Sequence, residues 1–250
     1  MTIQTLAQLR DLKLGGMAAA LEAQREQIGT YEGLAFDERL GLLVEHERLL
    51  RDQRKRDRLV TQARFKLSAS IAEIDYQHPR GLQKARIAQL AQPDWLHRGQ
   101  NLLITGPCGS GKTYLACAIG HNACLQGLSV RYRRLSRLTL ELAQARADGS
   151  YRQCLKRLAR IDLLIIDDWG LEPLQATQRH ELLEIMDDRH GHTSTAVISQ
   201  LPTDQWYASI GDNTLADAIL DRLMHNAHRL QLKGESMRKR KEVDQREHLS

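Results

Sequence analysis

The sequence predicts an α/β fold, a parallel sheet flanked by helices, preceded by a small all-helical N-terminal domain. Three observations predict it. Apolar strand-like runs alternate with helical stretches from Asn101 onward. A glycine-rich loop, Gly106 to Thr113, lies between a strand pattern and a helix pattern. Ahead of them, residues 42–78 hold neither Gly nor Pro, and apolar residues recur at helical spacing.

Taken in order, Leu6, Leu9, Met17 and Leu21 mark a first helical stretch, interrupted at Gly15-Gly16. A long helix from Leu34 to Arg64 puts Phe36, Leu40, Leu43 and Leu50 near one face. Pro79 and Pro93 punctuate the mixed segment that follows, with a helical piece from Leu82 to Leu90 between them. Strands are then expected at Leu102–Ile104, Val130–Tyr132, Leu163–Ile166, Ala196–Ile198 and Arg229–Leu232. Helices are expected at Lys112–Gln126, Ser136–Ala147, Tyr151–Ala159, Thr177–His190 and Thr214–Met224. Short apolar runs such as Leu163-Leu164-Ile165-Ile166 suit strands buried on both faces. The expected domains are therefore a helical part over residues 1–66, a connecting segment over 67–100, and a core over 101–250 ending in a short basic tail.

Composition excludes several classes. The longest apolar runs fall well short of the ~18 residues that a membrane span needs, and Met1-Thr2-Ile3-Gln4-Thr5 has no basic region followed by an apolar one. Four cysteines, none in a CxxC pair, do not make a disulfide scaffold, so a reducing, cytoplasmic setting is expected. The charge of +5 permits a nucleic-acid partner without requiring one.

Gly106-Pro107-Cys108-Gly109-Ser110-Gly111-Lys112-Thr113 satisfies G-x-x-x-x-G-K-[ST] at every fixed position. Strand before and helix after supply the context a phosphate-binding P-loop needs. Glycines let backbone N–H groups turn inward, and the helix N-terminus adds positive partial charge. Lys112 can reach the β- and γ-phosphates of ATP, and Thr113 offers a hydroxyl to Mg²⁺. Asp167 and Asp168 end the apolar run Leu163–Ile166, and two adjacent carboxylates there need a cation nearby. Asp167 fits the Mg²⁺ shell, and Asp168 fits the carboxylate that polarises the attacking water. Asp168 is one methylene shorter than Glu, so basal turnover is expected to be low. Cys117, His121 and Cys124 share one face of the helix after the loop, where core packing outweighs a Zn²⁺ site.

These motifs carry a resemblance. GPCGSGKTYLACAIG, LLIIDDWGLEPL, ISQLP and DAILDRL followed by HRLQLKGESMR, with KLGGMAAALEAQ near the start, resemble the IstB family. These are AAA+ ATPase helpers of insertion-sequence transposases, related to the DnaC helicase loader and the DnaA initiator. The resemblance implies a P-loop NTPase AAA+ core, a homo-oligomer with ATP at subunit interfaces, duplex DNA as ligand and a partner transposase. It implies Gln200 as the γ-phosphate sensor after strand Ala196–Ile198, where relatives often carry Asn. It implies Arg222 as an arginine finger reaching a neighbouring subunit. Because only residues 233–250 follow the last strand, no C-terminal lid domain is expected, and Arg238 is the candidate to stand in for a lid arginine. The rival reading is a DnaC-like replicative helicase loader.

Three basic clusters are candidates for non-specific contact with the DNA backbone. Arg51, Arg54 and Lys55 lie in the first, diluted by Asp52 and Asp57. Arg131, Arg133, Arg134 and Arg137 form the second, with no acid among them. Arg238-Lys239-Arg240-Lys241 is the third. The residues preceding the core, Ile74 to Leu82, are the expected adenine pocket.

Overall fold

The computed structural model describes residues 2–234, 236 and 237 of the 250. Its contacts divide the chain into two compact units, Met1–Arg58 and Leu59–Ser250. Helices α1 (Thr2–Asp11), α2 (Gly15–Glu26), α3 (Ile28–Tyr31) and α4 (Phe36–Ala63) come first, and the division falls inside α4.

In the first unit the glycine pair is not the interruption that the sequence suggests. The chain turns at Leu12–Leu14, with Lys13 at φ 59°, and Gly15-Gly16 open α2. Their smallness serves packing instead. A Cβ on Gly16 would stand 2.7 Å from the Glu47 Cα of α4. The buried Glu47 carboxylate accepts the N–H groups of Gly16 and Met17 at 2.6 and 3.2 Å, filling donors that the first turn of α2 leaves open. Burial alone would raise the Glu47 pKa. Arg51 and the two N–H groups outweigh it and hold the carboxyl below its ordinary value.

In the second unit, a short 3₁₀ turn (Ile71–Glu73), α5 (Lys84–Ala91) and α6 (Asp94–His97) precede the sheet. Strands β1 (Leu102–Thr105), β2 (Val130–Arg134), β3 (Leu163–Trp169), β4 (Ser194–Ser199) and β5 (His228–Gln231) pair in parallel in the order β2-β3-β4-β1-β5. Helices α7 (Lys112–Leu125), α8 (Leu135–Ala147), α9 (Tyr151–Ala159), α10 (Ala176–Arg189), α11 (Trp206–Ile210) and α12 (Asn213–Met224) connect them. The chain thus has the parallel α/β architecture that its alternating pattern predicts.

Strand alternation sorts the sheet's side chains into two cores. Leu102, Ile104, Leu163, Ile165, Ala196 and Ile198 face α7 and the segment before the sheet. Leu103, Leu164, Ile166 and Val197 face α8 to α12. Residues 67–100 are more than the connection expected of them, because Ala69, Ile74, Ile87, Leu90, Trp95 and Leu96 are buried in the first core. So are Cys117 and Cys124, whose thiols burial pushes up to about 11 and about 12. Neutral, packed thiols fit core packing rather than metal ligation, and no cluster of metal-ligating side chains occurs among the described residues. No helix among the described residues is long and apolar enough to cross a membrane. After β5 the described chain continues only through residues 232–234, 236 and 237. Arg238 and the third basic cluster lie outside the described residues.

One buried cation ties the second core together. Arg189, at the end of α10, donates to the carbonyls of Leu158, Ile161 and Ser194 and to Thr195 Oγ1. It thereby closes the end of α9 against the start of β4. Arg189→Met keeps the aliphatic stem but strands these acceptors, which should lower stability by about 3 kcal/mol. Urea unfolding followed by tryptophan fluorescence reads this, since Trp95, Trp169 and Trp206 all lie in the second unit. An unchanged midpoint would remove Arg189 from the account.

Candidate nucleotide-binding site

The carboxyl ends of β1, β3 and β4 lie side by side, and the loops leaving them converge on one cavity of about 570 Å³. Crevices at the carboxyl ends of parallel strands are where α/β sheets hold ligands. The first wall is the loop between β1 and α7. Gly109 and Gly111 take φ of 79° and 89°, a region costly for other residues. Gly106 approaches the chain leaving β5 so closely that a Cβ would meet the Leu232 carbonyl at 2.6 Å. The N–H groups of Lys112 and Thr113 open α7 and have no carbonyl a turn earlier within the helix. The Ser110 hydroxyl is buried without a partner. Lys112 Nζ donates to the Gly106 and Pro107 carbonyls at 2.7 and 2.8 Å, so the ammonium lies along the loop. Burial pushes its pKa down, against the pull of Cys108, Asp167 and Asp168.

The second wall is the end of β3. Asp167 is only 2% exposed. Its Oδ2 accepts the Thr113 hydroxyl at 2.9 Å and the Tyr132 hydroxyl at 2.6 Å, and its Oδ1 accepts the Asp168 N–H at 2.8 Å. At Asp168 the register to β4 slips, and the residue adopts φ 62°. This bulge breaks the alternation that would send the two neighbouring carboxylates to opposite faces. Both therefore line the cavity. Asp168 is less buried and pairs with Arg134 Nε at 3.4 Å.

The third wall is the end of β4. Ser199 Oγ donates to the Trp169 carbonyl at 2.7 Å and accepts the Leu201 N–H at 3.0 Å, so its hydroxyl is committed to the backbone. Gln200 lines the cavity with an exposed side chain. Between Ile74 and Leu82, only Asp75 and Arg80 reach the cavity, which is also walled by Lys66, Leu67, Glu73 and Tyr114. Arg80 is almost fully buried. It donates to the Ser110 and Asp75 carbonyls at 3.0 and 2.8 Å and to Met237 Sδ at 3.0 Å. It braces the P-loop against the segment after β5, where the Met237 N–H donates to the Gly109 carbonyl at 3.0 Å. Burial pushes the Arg80 pKa down.

The remaining expected residues lie elsewhere. Arg222, on α12, pairs with Asp187 and donates to the Ala218 carbonyl at 2.8 Å, away from this chain's own cavity. In the first unit, Arg51 pairs with Glu47 at 2.6 Å, while Arg54 and Lys55 are exposed. The second cluster is divided by strand alternation. Arg133 pairs with Glu141 at 2.7 Å, Arg134 with Asp168, Arg131 lies half-buried beside a separate cavity, and Arg137 is exposed on α8. Sequence reasoning did not single out Tyr132 or Arg80. Tyr132 had a readable signal, because V-R-Y-R-R alternation at a sheet edge turns Val130 and Tyr132 inward. Arg80 had none, since its acceptors are two backbone carbonyls and a thioether sulfur that no sequence pattern marks.

Comparisons with known proteins agree with this geometry. The insertion-sequence ATP-binding protein y4pL of Sinorhizobium fredii is 47% identical over 94% of this chain and 96% of its own length. The ATP-binding protein of insertion sequence IS1162 from Pseudomonas fluorescens is 49% identical over 81% of this chain and 88% of its own. The crystal structure of the DnaC helicase loader covers 66% of this chain and 97% of its own, with a TM-score of 0.55 at 21% identity. The replication initiator DnaA bound to AMPPCP and single-stranded DNA covers 69% of this chain and 52% of its own, with a TM-score of 0.58 at 14% identity. At those identities the two structures speak for the AAA+ fold alone. The family model for IstB-like ATP binding proteins matches residues 7–245, and with a P-loop, an acidic strand end and relatives of this kind the chain belongs to that family.

Proposed function

We propose that the protein is a Mg²⁺-dependent ATPase that oligomerises on duplex DNA in the cytoplasm and assists a partner transposase in insertion-sequence transposition. The observation that carries the ATPase reading is the Thr113–Asp167 pair set directly beside the P-loop. The donor chemistry fits the metal: a hydroxyl and a buried carboxylate are hard oxygens of the kind Mg²⁺ takes. When bound, Mg²⁺ neutralises negative charge on the β- and γ-phosphate oxygens. The loop from Gly106 to Thr113 holds the phosphates through backbone N–H groups, and Lys112 adds a cation. Asp168 orients the attacking water, and Gln200 is the polar group at the γ-phosphate end. Asp168 is short and shares its charge with Arg134, which supports a slow basal rate.

The assembly part of the reading rests on Arg222. It is remote from its own cavity, as a residue acting on a neighbouring subunit's ATP would be, and phosphoryl transfer needs cationic charge at the transferring oxygens. Release from Asp187 would accompany that contact. Arg51, Arg54, Lys55, Arg131, Arg133, Arg134 and Arg137 are proposed to meet the DNA backbone. The partnership with a transposase is supported by the insertion-sequence relatives.

Electron microscopy of the protein with duplex DNA and a slowly hydrolysed ATP analogue tests assembly. Wild type should form multi-subunit particles on DNA. Arg222→Ala should bind nucleotide but lose turnover by about 100-fold or more. Isolated monomers of wild type under those conditions would defeat the assembly reading.

Tyr132→Phe tests the metal site. Removing the hydroxyl frees Asp167 to swing, so the Mg²⁺ concentration that half-maximally enhances ATP binding should rise several-fold. ATP binding without Mg²⁺ should hold. An unchanged Mg²⁺ requirement would show that Thr113 and the Asp168 N–H orient the carboxylate by themselves.

A further inference from the structure

A second cavity, of about 360 Å³, opens in the second unit beside edge strand β2. Four arginines line it: Arg64 just beyond α4, Arg131 and Arg133 from β2, and Arg157 from α9. Strand alternation explains the middle pair, since residues two apart on a strand share a face. Two acids, Glu141 and Asp148, share the lining, so the arginines exceed them by two. Glu141 pairs with Arg133 at 2.7 Å, and Asp148 accepts the N–H and hydroxyl of Ser150 at 2.9 and 2.6 Å. Arg64, Arg131 and Arg157 make no ion pair within the described residues. Arg131 is half-buried, and burial together with the neighbouring Arg133, Arg64 and Arg157 charges disfavours its cationic form, outweighing the opposing pull of Glu141.

Convergent guanidinium groups that outnumber the acids among them repel one another, and a half-buried one also loses hydration. An anion entering the cavity reverses both effects. Guanidinium forks match phosphate oxygens two at a time.

We propose that this cavity is a phosphate site, formed by Arg64, Arg131 and Arg157, that seats a backbone phosphate of duplex DNA. The inference rests on the DNA-binding reading given above and sharpens it. It moves the contact from the whole run 131–137 to Arg131, and it adds Arg64 and Arg157 from elements distant in sequence. Arg133 braces the wall through Glu141.

Fluorescence anisotropy with a labelled 30-base-pair duplex, across a salt series and with an ATP analogue present, tests the site. Arg157→Gln and Arg131→Gln should each weaken binding about five- to tenfold, and each should flatten the slope of log affinity against log salt by about one. With the P-loop saturated by the ATP analogue, inorganic pyrophosphate should raise the thermal midpoint of wild type and leave both variants unmoved. Arg157 is exposed, so its variant keeps the test sound should Arg131→Gln unfold. Wild-type binding with both folded variants matching it in affinity and salt slope would overturn the phosphate site and leave the DNA reading standing. Failure of wild type to bind the duplex even at low salt would overturn both. Stabilisation by pyrophosphate with no loss of DNA affinity in the variants would overturn the DNA assignment and mark a site for free phosphate.

Discussion

A buried carboxylate that must be supplied with hydrogen-bond donors is the constraint around which the second unit is arranged. Asp167 is taken out of water at the end of β3, in a position where an unpaired charge would cost several kcal/mol. Three donors offset that loss: the Thr113 hydroxyl, the Tyr132 hydroxyl and the Asp168 N–H. Each comes from a different requirement of the fold. Thr113 is there because the P-loop ends in the first turn of α7. Tyr132 is there because β2 pairs alongside β3 with its aromatic residue turned inward. The Asp168 N–H is there because the strand bulges and the residue takes a left-handed conformation. Burial and these contacts push the Tyr132 hydroxyl pKa well up, so it remains a donor.

The same strand, β2, distributes charge around the site. Tyr132 serves one carboxylate and Arg134 the other, while Arg131 and Arg133 turn to the opposite face. A tract that reads as one basic run is thus three local arrangements. An exposed ion pair such as Arg134–Asp168 contributes little to stability, so its weight lies in where it holds Asp168. Any polyanion that draws Arg134 away would change the electrostatics around Asp168.

Much of the fold was legible because a parallel sheet buried on both faces leaves strong marks. The runs Leu102–Ile104 and Leu163–Ile166 are apolar at every position, and each matches a strand to within a few residues. The P-loop was legible because its glycines answer to backbone geometry rather than to remote partners. Less legible were features whose cause lies far along the chain. Gly15-Gly16 read as a break because the close approach of Glu47 cannot be seen locally. Residues 67–100 read as a connection because Pro79, Gly81 and Pro93 break their apolar positions into short pieces with no sustained period. Strand β3 runs on through Asp167 and Asp168 to Trp169, against the usual aversion of strands to acids, because the bulge and the Tyr132 hydroxyl accommodate them. Arg189 and Arg80 gave no signal, since both act mainly on backbone carbonyls, which no side-chain pattern marks.

The central claim is that Asp167, Asp168 and the P-loop form one site that binds ATP and then hydrolyses it. Comparing ATP affinity with steady-state phosphate release in wild type and Asp168→Ala measures this most directly. The variant should keep wild-type affinity in the presence of Mg²⁺ and lose turnover by at least about 100-fold. Turnover that survives the substitution, or affinity that falls with it in parallel, would contradict the division of labour between the two carboxylates.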